Sequence, residues 1–229
     1  MKVIVLGSAA GGGFPQWNCN CENCRRARAN DPNAVARTQS SLAVSANGAR
    51  WCLLNASPDL RQQLERTPAL HPQGGVRDSP IASVVLTNAD VDHVGGLLSL
   101  RESQPFVLYA TRRVLDVLAR NPVFDVLRRD VVTRVPLDFD GEMVLVGPDG
   151  ASLGLSVEPF AVPGKVALYL EDPSSGPGFG TDSEDTIGLK VHDRNSDSFF
   201  YYVPACARLS EDIAHRIAGA PLVFFDGTT

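Results

Sequence analysis

Short runs of apolar residues, broken by Gly, Pro, Asn and Asp, recur along the chain, some alternating as strands do and others spaced as on a helix face. Lys2–Leu6, Ser41–Ser45, Arg50–Leu54, Ile81–Leu86 and Phe106–Ala110 are brief and largely aliphatic, which predicts strands. Asn47-Gly48 between the second and third of these predicts a tight antiparallel hairpin. After Arg50–Leu54, Ser57 is a good helix N-cap and Pro58 suits the first helical position, so a helix is expected through Leu60, Leu64 and Glu65. Thr67–Pro80, with three prolines and two glycines, is a loop. Leu97, Leu98 and Leu100 suggest a helix after Gly95-Gly96. Thr111–Asn121, with Val114, Leu115, Val117 and Leu118, predicts an amphipathic helix, followed by a short helical piece from Pro122.

From Val131 the pattern becomes a series of short strands: Val131–Val135, Met143–Val146, Leu153–Glu158, Val166–Leu170, Thr186–Val191 and Phe199–Val203. Pro173–Asp185, rich in Gly, Ser, Pro and acid, reads as a lid or loop. Ser210–Ala218 is a helix with an acidic first turn, and Pro221–Phe225 a buried strand. Strands thus fall into two groups, each followed by helices, which predicts an α/β fold of two similar halves, their sheets face to face and helices outside. Polar clusters recur where strands end: Asn55 and Asp59, then Asp90, Asp92 and His93, then Asp226.

Composition narrows the function classes. The chain has 229 residues, 44% hydrophobic and 21% charged, which suits one large domain able to bury a core. A net charge of −5 without Lys/Arg runs gives no basic footprint for nucleic acid or an anionic membrane. No apolar run approaches the ~20 residues of a membrane span. Met1–Gly7 has one positive charge and too short an apolar segment for a signal peptide, so a cytoplasmic location is expected. Five cysteines, three of them clustered, fit thiols or metal ligands better than disulfides.

Two stretches carry candidate chemistry. Asp90, Asp92 and His93 sit in the strand-to-helix turn after Ile81–Leu86, and only a turn lets all three converge. Carboxylates with an imidazole suit a divalent ion such as Fe(II), Mn(II) or Zn(II). Ordinary turn and cap roles would explain Asn88, Asp90 and Asp92 but leave His93 unexplained. Cys19-Asn20-Cys21-Glu22-Asn23-Cys24 is a C-x-C-x-x-C knuckle whose three thiolates can fill three corners of a zinc tetrahedron. Cys52, Cys206, His71, His192 and His215 are open candidates for the fourth corner, although both cysteines look like small buried residues. The glycine-rich loop Gly7–Pro15 brings bare backbone close to another group. It lacks the spacing of a P-loop or a dinucleotide fold.

Together, Asn55-Ala56-Ser57-Pro58-Asp59, Asn88-Ala89-Asp90-Val91-Asp92-His93 and Asp226-Gly227-Thr228 resemble the metallo-β-lactamase fold superfamily, whose central signature is His-x-His-x-Asp-His after a strand. Asp92 and His93 keep the family's residue types, while Asn88 and Asp90 replace both histidines of its first metal position. The knuckle is similar to a structural zinc site in the phosphodiesterase branch. Within the superfamily, Met1–Cys19, Thr38-Gln39-Ser40-Ser41, Gly95–Glu102 and Phe160–Lys165 closely resemble the PqqB family of pyrroloquinoline quinone (PQQ) biosynthesis proteins, over essentially the whole chain.

This resemblance implies a four-layer αββα sandwich of two mixed sheets with helices outside, and one domain over residues 1–229. Similar chains continue past Asp-Gly-Thr, so its C-terminal part is expected beyond Thr229. The implied role is making PQQ from a Glu- and Tyr-containing precursor peptide. Two forms of that role are implied. As an iron-dependent oxygenase hydroxylating the tyrosine ring, the protein would hold Fe(II) or another divalent ion on Asp92, His93 and Asp226, with Asp90 assisting catalysis. As a non-catalytic carrier of PQQ or a precursor toward the periplasm, it would meet carboxylates through Arg101, Lys165 or Arg37. Lactamase-like hydrolysis needs more imidazole than Asn88 and Asp90 leave. Implied partners are PQQ or its precursor, other PQQ biosynthesis proteins and a second copy of the chain, with zinc on Cys19, Cys21 and Cys24.

Overall fold

The Asn-Gly hairpin seeds the first sheet. Ser45 Oγ donates to the Arg50 carbonyl at 2.5 Å, and the Asn47 carboxamide oxygen accepts the backbone N–H groups of Ala49 and Arg50, closing the turn between β2 (Ser41–Ser45) and β3 (Trp51–Leu54). On one side β1 (Lys2–Gly7) adds antiparallel to β2; on the other, β4 (Ile81–Val85), β5 (Phe106–Thr111) and β6 (Val132–Leu137) follow in parallel. A second sheet has the order β11-β10-β9-β8-β7, from β7 (Met143–Val146), β8 (Ser152–Ala161), β9 (Ile187–Asp193), β10 (Phe199–Val203) and β11 (Val223–Phe225). Its strands are antiparallel except β11, which runs parallel to β10. The computed structural model describes residues 1–164, 167, 169 and 183–225. Asp226 and Lys165 therefore lie outside the described residues. So do the expected strand Val166–Leu170, apart from Ala167 and Tyr169, and most of the expected lid Pro173–Asp185.

Both sheets are mixed, and alternation along their strands builds the layers. Leu42, Val44, Cys52, Leu54, Val107 and Tyr109 face Leu155, Val157, Leu189, Val191 and Phe200 between the sheets. The opposite face of the first sheet, with Ala43, Leu53, Val84 and Leu108, packs on Leu60 of α2 (Leu60–Glu65) and on Val114 and Leu118 of α4 (Arg112–Arg120). The outer face of the second sheet, with Tyr201 and Val203, packs on Ile213 of α5 (Glu211–Ile217). The result is the expected αββα sandwich.

Local differences from the sequence reading have physical causes. Ser57 does not cap α2: its hydroxyl turns to Gln63 Oε1 at 3.2 Å, and the helix starts after Asp59. The residues after Gly95 form a 3-10 helix, Gly95–Leu100, in place of an α-helix. Within the knuckle a helix not foreseen from the sequence begins, α1 (Glu22–Arg28), with Cys21 as its N-cap. The last strand is not buried: β11 is an edge, and Leu222 and Phe225 are exposed.

Candidate functional site

The carboxyl end of β4 meets the end of β3 through main-chain contacts. Ala56 N–H donates to the His93 carbonyl at 2.7 Å, and Gly96 N–H donates to the Ala56 carbonyl at 2.8 Å. This approach needs glycine, because a Cβ on Gly96 would run into the Ser57 carbonyl. The turn between these contacts holds α3 (Val91–Val94), whose N-cap Asp90 makes no side-chain cap. The capping role that could have explained Asp90 is thus not the one it plays. Instead the Asn88 carboxamide oxygen accepts Asp90 N–H at 3.0 Å and lies 2.6 Å from His93 Nδ1. His93 is buried, and Asp92 Oδ1 is 3.9 Å from its Nδ1.

A buried polar network joins this turn to both sheets. Asn55, in the left-handed region at φ 62°, accepts Thr87 N–H at 2.9 Å, donates to Thr87 Oγ1 at 2.9 Å and donates to the Tyr202 hydroxyl at 3.2 Å. Tyr202 belongs to the second sheet, and Ser40 Oγ lies 3.4 Å from its hydroxyl. Burial pushes the Tyr202 phenol up to about 12, so it stays protonated at ordinary pH. Across the site the glycine loop is held by a relay. Gln39 donates through its backbone and side chain to Asp59 Oδ2, at 2.9 and 3.0 Å, and Gly12 N–H donates to Gln39 Oε1 at 3.1 Å. A Cβ on Gly11 would stand 3.3 Å from Asp92 Oδ2, so this loop packs directly on the carboxylate.

Asp90, Asp92 and His93 line one cavity of about 450 Å³ with Tyr202, Ser40, the loop Gly7–Ala10 and apolar Val5, Leu42, Phe224 and Phe225. A larger cleft, about 710 Å³, opens at the amino ends of β4 and β5, where Ile81 and Phe106 line it, away from this chemistry. The donor set of the smaller cavity, carboxylates with one imidazole, fits a divalent cation. Among the described residues the ligand atoms of Asp90, Asp92 and His93 do not all close to within 4.8 Å of one another, and Asp92 and His93 are the close pair.

The three cysteines do close. Their sulfurs lie within 4.8 Å of one another, compatible with the about 3.8 Å edges of a tetrahedron built on Zn–S bonds of about 2.3 Å. Cys21 Sγ accepts Cys24 N–H at 3.5 Å, and that N–H, with the neighbouring Cys19 thiol, holds the Cys21 thiol below its ordinary value. Cys24 is drawn down by the Gln16 backbone, but burial and the Cys19 and Cys21 thiols leave it raised overall. Arg28 ties the loop by donating to the carbonyls of Cys19 and Gln16, at 2.7 and 2.6 Å.

None of the candidates for a fourth corner joins this cluster among the described residues. Cys52 is a core thiol, pushed up to about 12 by burial. Cys206 is only half-buried, contrary to the sequence reading, with Sγ 3.2 Å from the Arg208 carbonyl. His71 binds the Glu65 carbonyl, His192 stacks near Phe199 and His215 lies on α5. Arg37 and Arg101 are not in the cavity wall: Arg101 donates to the Leu98 carbonyl, and Arg37 pairs through its backbone with Phe14. Sequence reasoning missed Tyr202 and Gln39. The polar run Thr38–Ser41 before β2 signalled the second of these; nothing local marked Tyr202 within its aromatic strand.

A family profile described as a beta-lactamase superfamily domain matches residues 50–229. Coenzyme PQQ synthesis protein B of Gluconacetobacter diazotrophicus is 55% identical over 228 residues, covering 100% of this chain and 73% of that protein. The same-named protein of Rhodopseudomonas palustris is 52% identical over 229 residues, with the same coverage. A crystal structure of Zn²⁺-bound PqqB from Methylobacterium extorquens is 51% identical and superimposes with a TM-score of 0.90, over 99% of this chain and 72% of that one.

Proposed function

The chain belongs to the PqqB family of the β-lactamase superfamily, and from that premise we propose that it serves PQQ biosynthesis as a metal-dependent oxygenase hydroxylating the tyrosine ring of a Glu-Tyr-derived precursor. The observation that carries this reading is the cavity wall. It joins carboxylates and an imidazole to Phe224, Phe225, Val5 and Leu42, a mixture suited to a flat apolar ring beside a cation.

Asp92 and His93 would hold the ion, with Asp226, outside the described residues, as a third ligand. A redox-active ion such as Fe(II) supplies, when bound, the O₂ activation that no amino-acid side chain provides. The aromatic and aliphatic side chains would bind and orient the ring and exclude water. The Asp90 carboxylate, on the same wall, is the group to take up the phenolic proton. Zinc would sit apart, on Cys19, Cys21 and Cys24, in a structural role.

The alternative, a carrier for PQQ or a precursor on its way to the periplasm, needs cations for the ligand's carboxylates. Among the described residues lining the cavity there is no Lys or Arg. No helix among the described residues is long and apolar enough to cross a membrane. In this reading the protein works as a single domain in the cytoplasm, with other PQQ biosynthesis proteins and a second copy of itself as partners.

The test is element-resolved metal analysis of anaerobically prepared protein, followed by exposure to O₂ with a tyrosine-containing peptide and a two-electron reductant such as ascorbate, which reduces the second oxygen atom to water. Iron at the cavity and O₂-dependent gain of an oxygen atom by the peptide are expected. Zinc confined to the cysteines, with PQQ bound and no oxygen incorporated, would establish the carrier instead.

A further inference from the structure

We propose that Asn88 is a positioning residue that fixes the tautomer of His93, so that Nδ1 carries the proton and Nε2 is the nitrogen offered to a cation in the cavity. The second half rests on the reading that the cavity binds a divalent cation; the first does not.

Hydrogen-bond chemistry leaves one assignment. The Asn88 carboxamide atom facing the turn receives the backbone N–H of Asp90 at 3.0 Å. A backbone N–H only donates, so that atom is the amide oxygen and not its nitrogen. The same oxygen lies 2.6 Å from His93 Nδ1, and an amide oxygen only accepts. Nδ1 must therefore be the donor, and a neutral imidazole with its proton on Nδ1 carries its lone pair on Nε2. Among the described residues, the neighbouring carboxylate oxygen Asp92 Oδ1 is 3.9 Å from Nδ1, beyond hydrogen-bond reach. Asn88 and not Asp92 thus sets the ring.

Both partners are held. His93 is buried, and its backbone donates to the Asp90 carbonyl at 2.9 Å and accepts from Ala56 N–H at 2.7 Å. Asn88 is buried as well and bridges to Thr186 across the gap between the sheets. Its neutral oxygen orients the ring while leaving it less basic than a carboxylate in the same place would. Asn88→Asp should therefore keep the tautomer and tighten metal binding, whereas Asn88→Leu, close in shape but without an acceptor, should lose both.

The measurement is nitrogen-15 NMR of the metal-free full chain at about pH 8, where an ordinary histidine is neutral, with the His93 signal assigned by its loss in His93→Gln. The wild type should show a proton on Nδ1, Asn88→Asp should retain it and Asn88→Leu should show a mixture. Titration with Co²⁺ alone then separates two sites by colour, thiolate ligation at the knuckle from oxygen and nitrogen ligation at the cavity. Cavity affinity should fall by about 10- to 100-fold in Asn88→Leu, with the knuckle unchanged. A proton on Nε2 in the wild type, or an unaltered tautomer in a folded Asn88→Leu, would overturn the assignment. A wild type that binds no Co²⁺ at the cavity would overturn the cation reading while the NMR still decides the tautomer.

Discussion

The cysteine knuckle and the strand-end cavity are both candidate cation sites, and they are assembled in opposite ways. The knuckle draws its three sulfurs from six consecutive residues and fixes them with one helix start, the Cys21 cap of α1. The cavity takes its wall from Val5, Ser40, Asp92, Tyr202 and Phe225, so it exists only when both sheets are in place. The knuckle is exposed at Cys21, and what ties it is the exposed Arg28 guanidinium on the Cys19 and Gln16 carbonyls. The cavity is backed by the buried Asn55, Thr87 and Tyr202 set. A site made of neighbours in sequence depends on its ligand for order; one made across a fold has its order before any ligand arrives.

The largest expected effect tests the first half of that contrast. Removing metal with a thiol-competent chelator should abolish hydrogen-exchange protection in Glu22–Arg28, because seven residues are too few to stay helical unaided, while β3 and β4 keep theirs. Protection in α1 that survives chelation would mean that packing and not metal holds the knuckle.

Next in size is Asn55→Leu, which strands the buried Thr87 N–H and forces an aliphatic residue into φ 62°. A loss of about 3 kcal/mol is expected from urea unfolding. A change below about 1 kcal/mol would remove the network from its supporting role.

Tyr202→Phe should matter less and in one pH range. The folded phenol sits at about 12, above the ordinary value of about 10, so the fold favours its neutral form. That contribution is complete below pH 10 and fades as pH rises through 10 toward 12, by about 1.4 kcal/mol per unit. The variant lacks this dependence, so its stability should fall less steeply than the wild type's above pH 10, as read by denaturant midpoints. Parallel curves would show that the phenol is not so confined. Smallest of all, Arg26→Ala breaks a half-exposed pair with Asp31 beside the knuckle, and should change stability by no more than about 0.5 kcal/mol.

The same contrast explains what could be read in advance. Asn47-Gly48 predicted its hairpin because the Asn47 carboxamide and the left-handed Gly48 close the connection locally, and the C-x-C-x-x-C spacing predicted a cluster that needs only local geometry. Asp90, Asp92 and His93 were legible as the polar end of a buried strand. Tyr202 was not, since Phe199–Val203 alternates as any sandwich strand does and only the second sheet's placement turns its hydroxyl onto Asn55. The N-cap of α2 moved from Ser57 because its hydroxyl donates to Gln63, a side chain of the same helix, a local competitor that the capping pattern does not weigh. The last strand was read as buried from its aromatic residues, yet its edge position follows from sheet order alone.

Beyond β4 the main chain crosses between the layers: Ile187 N–H donates to the Thr87 carbonyl at 2.9 Å, and Asn88 bridges to Thr186. The two sheets are therefore riveted at the rim that carries His93, and any scissoring of the sandwich must pivot there and spread its opposite margin. The glycine loop facing Asp92 is fastened separately, through Gln39 to Asp59, so that wall is anchored to the first sheet alone.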